Sequence, residues 1–311
     1  MTLLVKERGR LPLGFGGASI SGEGAGYGFG DITENSALYL LKEAKELGIR
    51  IFDTAPIYGF GLSEQRIGKA FKSCREDVFI ISKSGVTWHE NKRVDMSNDP
   101  AVTGKMLEQS LRDLNTDYID LFMIHWPDAK VDIRKPVEVL AKAKEQGKIK
   151  HIGLCNTHIE DLTKAAEVAK IEAVQNQLNL FERDALGLFD YLKEKKISFM
   201  SWGTLDKGIL TGRVDRDRKF DKSDCRSWAP WWKEMDKESR FKAMEKINPL
   251  LKVSGHNGLE LALGHNLSYT EVSLLLCGAR NSEQLNGLVK ALEHLPGEEL
   301  MNKVKEIVSE H

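Results

Sequence analysis

Short apolar runs alternate with longer amphipathic segments along almost the whole chain, and this alternation narrows the possible folds more than any other feature. Eight runs are rich in β-branched and aromatic residues, at positions 11–16, 50–54, 78–82, 119–125, 151–155, 173–178, 197–202 and 272–277. Between them apolar residues recur at helical spacing, as Leu38, Leu41 and Leu47 do in the first segment. Strands that alternate with helices indicate a parallel sheet, and nearly continuous apolar strands are typical of burial on both faces. Eight such units favour a closed (β/α)8 TIM barrel, an α/β fold, over an open sheet.

The glycine-rich segment 21–30 does not carry the usual sign of an open dinucleotide-binding sheet. Glycine occupies every second position from Gly22 to Gly30, but no GxGxxG fits, and the segment does not lead straight from a strand into a helix. We therefore expect a single barrel domain over residues 1–311, with this segment as a flexible loop over the barrel mouth. A loop without a role is the alternative.

A second long connection, 211–238, is first charged and then rich in tryptophan. Long ordered loops in compact domains are usually lids or binding loops, so we expect this one to lie over the barrel mouth. Trp231 and Trp232 could also serve only to pin the loop to the barrel.

The composition argues against several other classes of protein. Charged residues make up 29% of the 311 residues and leave a net charge of -1, which indicates no nucleic-acid partner. No stretch approaches the roughly 18 unbroken apolar residues of a membrane span, and the first residues are too charged for a signal peptide. The four cysteines lack CxxC spacing, and no histidine spacing suggests a metal site. We expect a cytoplasmic protein with free thiols and no metal; the oligomeric state is not indicated.

Polar side chains stand where several predicted strands end. Asp53 lies near the end of the second strand, with Tyr58 five residues later, Lys83 follows the third, and His125 ends the fourth. Because the C-terminal ends of barrel strands carry the chemistry in this architecture, we expect these side chains to converge. A buried Asp–Lys ion pair without a catalytic role is the plainer alternative.

These four residue types suit the reduction of a carbonyl group. A tyrosine has an ordinary pKa near 10, and we expect the Lys83 ammonium to lower it, with Asp53 keeping Lys83 charged. Neutral His125 could donate a hydrogen bond to an oxygen that gains negative charge. The cluster therefore predicts hydride transfer to an aldehyde or ketone, with Tyr58 as the general acid.

Six motifs, in order, resemble those of the aldo-keto reductase family from about residue 11 to residue 292. They are FDTAPIYGFGLSEQRIG (52–68), DYIDLFMIHWPD (117–128), GKIKHIGLCN (147–156), AVQNQLNLFER (173–183), GILTGR (208–213) and GARNSEQL (278–285). The resemblance implies a (β/α)8 barrel that binds NADP(H) in extended form, a small-molecule carbonyl substrate, and a catalytic tetrad of Asp53, Tyr58, Lys83 and His125.

The resemblance also implies the cofactor contacts. The family's Ser-Asn pair reads Cys155-Asn156 here, and because a thiol is a weak hydrogen-bonding group, Asn156 and Gln175 are expected to hold the nicotinamide carboxamide. The family's adenine-contacting Glu-Asn reads Gly287-Leu288, which leaves open how strictly NADPH is preferred over NADH. The remaining expected contacts are Gly17, Trp202 stacked on the nicotinamide, Gly203, Leu205 and Gly208 at the pyrophosphate, and Gly278, Arg280 and Gln284 at the 2′-phosphate.

Other functions remain possible at this point. An NADP-sensing regulatory subunit of a channel-like partner has the same fold, and a sugar dehydrogenase would use the same residues in reverse. A barrel aldolase would use Lys83 as a Schiff-base nucleophile. The expected substrate walls (Ile57, Trp88, Trp126 and Trp228–Trp232) are apolar or aromatic, which does not separate aromatic aldehydes from aldoses.

Overall fold

The computed structural model describes residues 1–22 and 24–310. The strands are β1 (Leu13–Gly16), β2 (Ile51–Asp53), β3 (Phe79–Ser84), β4 (Val86–Trp88), β5 (Val94–Met96), β6 (Ile119–Ile124), β7 (Ile149–Cys155), β8 (Ala173–Gln177), β9 (Ser198–Trp202) and β10 (Val272–Cys277). Eight of them form a closed parallel barrel in the order β1-β10-β9-β8-β7-β6-β3-β2, and β4 and β5 form a separate antiparallel hairpin. The predicted (β/α)8 barrel is confirmed.

Helices surround the barrel and connect its strands. They are α1 (Leu3–Glu7), α2 (Glu34–Glu46), α3 (Leu62–Phe71), α4 (Pro100–Asp113), α5 (Arg134–Glu145), α6 (Ile159–Ala166), α7 (Phe189–Lys195), α8 (Pro230–Glu234), α9 (Lys237–Ser254), α10 (Gly258–Leu267), α11 (Ser282–Ala291) and α12 (Glu298–Ser309). Among the described helices, none combines the length and apolarity needed to cross a bilayer. The four cysteines are free thiols, as predicted.

Strand β6 illustrates why continuous apolar runs are required. Side chains alternate between the two faces of a strand, so Leu121 and Met123 join the cluster inside the barrel, whereas Phe122 and Ile124 pack in the layer between barrel and helices. All four side chains are fully buried. A polar residue at any of them would have to find a partner in an apolar environment.

Five elements were absent from the sequence prediction: α1, β4, β5, α8 and α12. The helices α1 and α8 have five residues each, and β4 and β5 three each, too few to show a period. Leu4 of α1 is fully buried, and its backbone N–H donates to Ser198 Oγ at 2.9 Å. Because Leu4 belongs to the interior barrel cluster, α1 closes the N-terminal end of the barrel.

The glycine-rich segment 21–30 and the connection 211–238 contact each other at the end of the barrel opposite to α1. The N–H of Cys225 donates to the carbonyl of Gly28 at 2.8 Å, and the N–H of Gly30 donates to the carbonyl of Ser223 at 3.0 Å. Phe29 and Asp224 form an isolated antiparallel bridge between these bonds. The glycine-rich loop and the 211–238 connection are therefore joined by backbone hydrogen bonds.

Glu64 on α3 is a fully buried acid behind β3. Its Oε1 accepts a 2.6 Å hydrogen bond from Ser82 Oγ, while Oε2 has no hydrogen-bond partner within the described residues. Burial raises the pKa of this carboxyl to about 7. The group is therefore largely protonated in the folded protein at mildly acidic pH, where an exposed glutamate has already lost its proton.

We expect Glu64→Gln to remove a pH dependence of stability. With its folded-state pKa raised from 4.5 to about 7, Glu64 makes a contribution to stability that is complete below pH 4.5 and is lost as pH rises through 7, about 3 kcal/mol in total. Glutamine cannot ionise, so the variant should gain stability relative to the native chain at pH 8 but not at pH 5. Urea unfolding at the two pH values measures this, and an equal effect at both would contradict it.

Candidate active site

Three of the four proposed catalytic side chains come from adjacent barrel strands. Asp53 ends β2, Lys83 lies near the end of β3, and His125 directly follows β6, in the strand order β2-β3-β6. Lys83 Nζ donates to Asp53 Oδ1 at 2.7 Å and to the Thr54 carbonyl at 2.8 Å. Lys83 is fully buried and Asp53 nearly so. The expected convergence at the C-terminal end of the barrel is present.

Tyr58 joins this group from the loop after β2. Lys83 Nζ lies 5.3 Å from the centroid of the Tyr58 ring, and the ring of His125 meets it edge-on with centroids 5.8 Å apart. A tight turn places the tyrosine: its N–H donates to the Ala55 carbonyl at 3.0 Å, and Gly59 follows with φ +65°. A positive φ is readily adopted by glycine.

The direction of the Tyr58 pKa shift differs from the sequence expectation. Burial is the largest cause and raises the pKa of the phenol to about 12, Lys83 lowers it, and the Asp53 carboxylate raises it again. Asp53 and Lys83 act in opposite directions on the phenol, and desolvation, the largest single cause, decides the sign. Tyr58 is therefore protonated at neutral pH in this structure.

The other two titrating groups behave as expected. Burial is the largest single influence on the Lys83 ammonium and lowers its pKa, but Asp53, Tyr58 and Cys155 together outweigh it and the pKa is raised. Burial and the charge of Lys83 together hold the pKa of His125 well below its usual range. At neutral pH the cluster therefore contains a phenol, an ammonium and a neutral imidazole.

One long cavity of about 1410 Å³ opens beside this cluster. Asp53, Tyr58 and His125 line one part of it, and Gly278, Arg280 and Gln284 line another. The volume exceeds the usual few hundred to 1,000 Å³ of a small-ligand pocket, so an extended ligand and a second small molecule can fit together.

The amides expected at the nicotinamide are already paired within the protein. Asn156 Nδ2 donates to the His125 carbonyl and Asn156 Oδ1 accepts from Trp202 Nε1, both at 2.9 Å. Gln175 Nε2 donates to Asp53 Oδ1 at 2.8 Å, which ties this amide nitrogen to the buried Asp53–Lys83 pair. Asn156, Gln175 and Trp202 nevertheless line the cavity.

Two expected cofactor contacts, Gly17 and Cys155, lie outside the cavity lining. A Cβ on Gly17 would stand 2.5 Å from Ser63 Oγ and 2.7 Å from the Asp53 carbonyl, so this glycine lets the segment after β1 pack closely against α3 and the end of β2. Cys155 is fully buried in the interior barrel cluster, with Sγ 3.6 Å from Gln175 Oε1. The neighbouring Gly16 and Ala18 line the cavity in place of Gly17.

The turn expected at the pyrophosphate has an unusual backbone. Gly203, Leu205 and Gly208 line the cavity as expected, and between them Asp206 and Lys207 have φ values of +45° and +54°. Non-glycine residues with positive φ are uncommon and often mark functional sites. The turn is fixed from outside, because Arg240 donates to the fully buried Asp206 at 2.6 Å and also pairs with Glu182.

Lys207 is a candidate cofactor residue that the sequence did not reveal. Its Nζ lies 5.9 Å from the ring centroids of both Trp202 and Trp231, and burial lowers its pKa. The only signal in the sequence was its place just before Gly208. Five arginines line the cavity as well (Arg213, Arg218, Arg226, Arg240 and Arg280), together with acidic side chains such as Glu182 and Glu283.

Arg280 is held by the glycine-rich loop and by α11. One guanidinium nitrogen donates to the Asp31 carbonyl at 2.6 Å, and the Arg280 N–H donates to Gln284 Oε1 at 2.9 Å. Its Nε is buried without a hydrogen-bond partner among the described residues. Arg280 as a whole lines the cavity, and a guanidinium in a cavity wall suits an anionic ligand such as a phosphate.

The aromatic walls differ in part from those expected. Ile57, Trp126 and Trp231 line the cavity. The other three tryptophans expected in the wall pack against protein side chains instead. Trp88 contacts Phe60, Trp228 contacts Tyr27, and Trp232 is buried against Phe220. Tyr27, Val86, Val94 and Met96 line the cavity as well, so its wall is mostly apolar.

Comparison with known proteins identifies the family. The model of the Aldo/keto reductase family matches residues 12–309. The structure of the glycerol dehydrogenase AKR11B4 from Gluconobacter oxydans superposes with a TM-score of 0.83 at 30% identity, covering 96% of this chain and 92% of that one.

Two curated relatives carry different cofactors in their names. Aldo-keto reductase yakc, named with NADP(+), from Schizosaccharomyces pombe is 29% identical over 89% of this chain and 84% of its own length. The NADH-specific methylglyoxal reductase of Escherichia coli is 27% identical over 85% of this chain and 84% of its own length. With the family model matched over nearly its whole length, this chain belongs to the aldo/keto reductase family.

Proposed function

We propose that this protein is an NADP(H)-dependent reductase of aldehydes and ketones, with Tyr58 as the general acid. The observation that carries the proposal is the buried Lys83–Asp53 pair beside Tyr58 and His125, at one part of a cavity large enough for a dinucleotide. Membership of the aldo/keto reductase family supports the reaction class.

The cavity fits NADP(H) in shape and charge. The turn from Gly203 to Gly208 lies in the wall and has positive φ values at Asp206 and Lys207, and tight turns of this kind bind pyrophosphate oxygens. Lys207 adds a cation there, and Arg280 offers its guanidinium to the 2′-phosphate. Trp202, fixed by its hydrogen bond to Asn156, provides a flat surface for the nicotinamide.

The protein supplies one proton to the carbonyl oxygen and stabilises the negative charge that develops on it. When bound, NADPH supplies the hydride for the carbonyl carbon. Tyr58 donates its phenolic proton to the carbonyl oxygen, and neutral His125 donates a hydrogen bond to the same oxygen. Lys83 stabilises the phenolate that Tyr58 becomes, and Asp53 holds Lys83 in place.

The pKa of Tyr58 favours the reductive direction. A phenol with a pKa of about 12 is protonated at neutral pH and ready to donate. Sugar oxidation by the same residues would need the phenolate as a base, which is scarce under these conditions. Lys83 as a Schiff-base nucleophile is disfavoured too, because its raised pKa keeps it charged.

Turnover assays test this function against its alternatives. We expect NADPH oxidation with benzaldehyde or methylglyoxal, and slower NADP⁺ reduction with glycerol or glucose at pH 7. Tight NADPH binding without turnover of any carbonyl would favour a regulatory subunit instead. A borohydride-trapped adduct on Lys83 would favour an aldolase.

The substrate class follows from the apolar wall next to Tyr58. Ile57, Val86, Val94 and Trp126 form that wall, and they offer few hydrogen bonds to a sugar. We therefore propose that small apolar or aromatic aldehydes are reduced with lower KM than aldoses, which the same assays measure.

Two cations in the cavity predict two patterns of cofactor affinity. Arg280→Met should weaken NADPH about 10- to 100-fold and NADH hardly at all, because only NADPH carries the 2′-phosphate. Lys207→Met should weaken both cofactors alike, because both carry the pyrophosphate. Fluorescence titration measures the affinities, with Lys233→Met, an exposed lysine of α8 outside the cavity lining, as the control. An equal loss for both cofactors in Arg280→Met would contradict the assignment of Arg280.

A further inference from the structure

A group of three potential metal ligands lies away from the catalytic cluster. His256 follows α9, Glu260 lies in the first turn of α10, and His294 follows α11. Within residues 1–22 and 24–310 this is the one group of three such side chains with its ligand atoms within 4.8 Å of one another. The sequence does not suggest it, because His256 and His294 are far apart in the chain.

The distances suit a single small ion. Nδ1 of His256 lies 3.1 Å from Glu260 Oε2, and Nδ1 of His294 lies 3.4 Å from the same oxygen. Ligands about 2.0–2.1 Å from a tetrahedral Zn²⁺ are about 3.3 Å from one another, so both distances match the edge of such a tetrahedron. The two imidazole rings also stack with centroids 4.2 Å apart, so both histidines approach Glu260 side by side.

Two of the three side chains are largely buried and one is exposed, so the group is held in place and can still be reached from solvent. The side chains of His256 and Glu260 are 11% and 12% exposed, whereas His294 is 58% exposed and leaves a path from solvent. Glu260 is held further by the capping box of α10, in which its carboxylate accepts the Asn257 N–H at 3.0 Å. A ligand held by neighbouring hydrogen bonds is typical of metal sites.

Hydrogen bonds account for only part of the arrangement. His256 Nδ1 and the Asn257 N–H are hydrogen-bonded to Glu260 Oε2, whereas His294 Nδ1 lies 3.4 Å from the same oxygen without an aligned hydrogen bond. With an ion present, the two Nδ1 atoms act as neutral ligands, and the carboxylate keeps its single backbone donor. Two imidazoles and one carboxylate favour zinc over Mg²⁺ or Ca²⁺, which take oxygen ligands.

We propose that His256, Glu260 and His294 bind one Zn²⁺ and so link the start of α10 to the end of α11. A water molecule completes the tetrahedron on the exposed side. The site neighbours the cofactor cavity, since Asn257 and Leu259 between the ligands line its wall. The role is structural, and the proposal does not depend on the catalytic function.

Zinc binding to the metal-free protein tests this directly. Calorimetric titration with ZnCl₂ should give one site per chain, and Zn²⁺ should raise the melting temperature while Mg²⁺ and Ca²⁺ do not. His294→Gln and His256→Gln should each weaken binding at least tenfold, and the double variant should abolish it. His294→Gln changes an exposed side chain, so its melting temperature without zinc should match that of the native chain.

A second histidine–carboxylate pair provides the matched control. His89 contacts Asp95 on the β4–β5 hairpin, and both side chains are about half exposed. His89→Gln should leave zinc affinity and stoichiometry unchanged. The proposal is overturned if the native chain and the His256→Gln/His294→Gln double variant bind zinc equally, or if His89→Gln removes the site.

Discussion

Tyr58→Phe is expected to lower kcat for aldehyde reduction about 10²- to 10⁴-fold, the range contributed by a positioned general acid. The phenylalanine ring keeps the edge-on contact with His125 but has no proton to donate to the carbonyl oxygen. NADPH affinity should stay close to that of the native chain, because the proposed cofactor contacts lie elsewhere in the cavity. Steady-state kinetics and a fluorescence titration measure the two quantities separately.

Tyr27→Phe is the matched control for this substitution. Tyr27 lines the same cavity but contacts Trp228 rather than Lys83, with ring centroids 5.7 Å apart. Its variant should keep most of the native activity. The pH profile adds a second check: with a Tyr58 pKa of about 12 and neutral His125, reductive kcat/KM should show no transition of either group between about pH 7 and 9. Comparable losses in both variants would contradict the role of Tyr58.

The barrel was predictable because its signals are local and repeated. Each strand is a short apolar run and each helix has its own period, so eight weak signals support one another. The ends of the strands were less certain: the run at 78–82 became β3 at Phe79–Ser84, which brings Lys83 inside the strand. Strand ends depend on hydrogen bonds to neighbouring strands, and a single run does not reveal those partners.

Some features of the candidate site were predictable from the sequence and others were not. The convergence of Asp53, Lys83 and His125 follows from a rule about strand ends, so the sequence was enough. The sign of the Tyr58 pKa shift was not accessible, because it depends on how desolvation compares with two opposite charges. The partner of Gln175 Nε2 likewise depends on side-chain orientation across the barrel.

The Asp206–Lys207 turn shows a further limit of the sequence. Its positive φ values are imposed by contacts from α9 through Arg240, a residue far along the chain. A charged pair in a loop is usually solvated, and only the fold shows that Asp206 is buried and that Lys207 lines the cavity.

Lys83→Met is expected to reduce both stability and activity. Methionine keeps the length of the side chain but leaves the buried Asp53 carboxylate without its cation, which costs about 3–5 kcal/mol of unfolding free energy. Activity should fall about 10²-fold or more, because no charge remains to stabilise the Tyr58 phenolate. Urea unfolding and kcat for an aldehyde measure the two effects.

The double variant Asp53→Asn/Lys83→Met separates these two roles of Lys83. Asparagine removes the unpaired charge and can still accept the hydrogen bond from Gln175 Nε2, so most of the lost stability should return. Activity should stay low, because the phenolate still lacks its cation. If activity instead recovers together with stability, Lys83 acts only in folding and the proton transfer from Tyr58 does not depend on its charge.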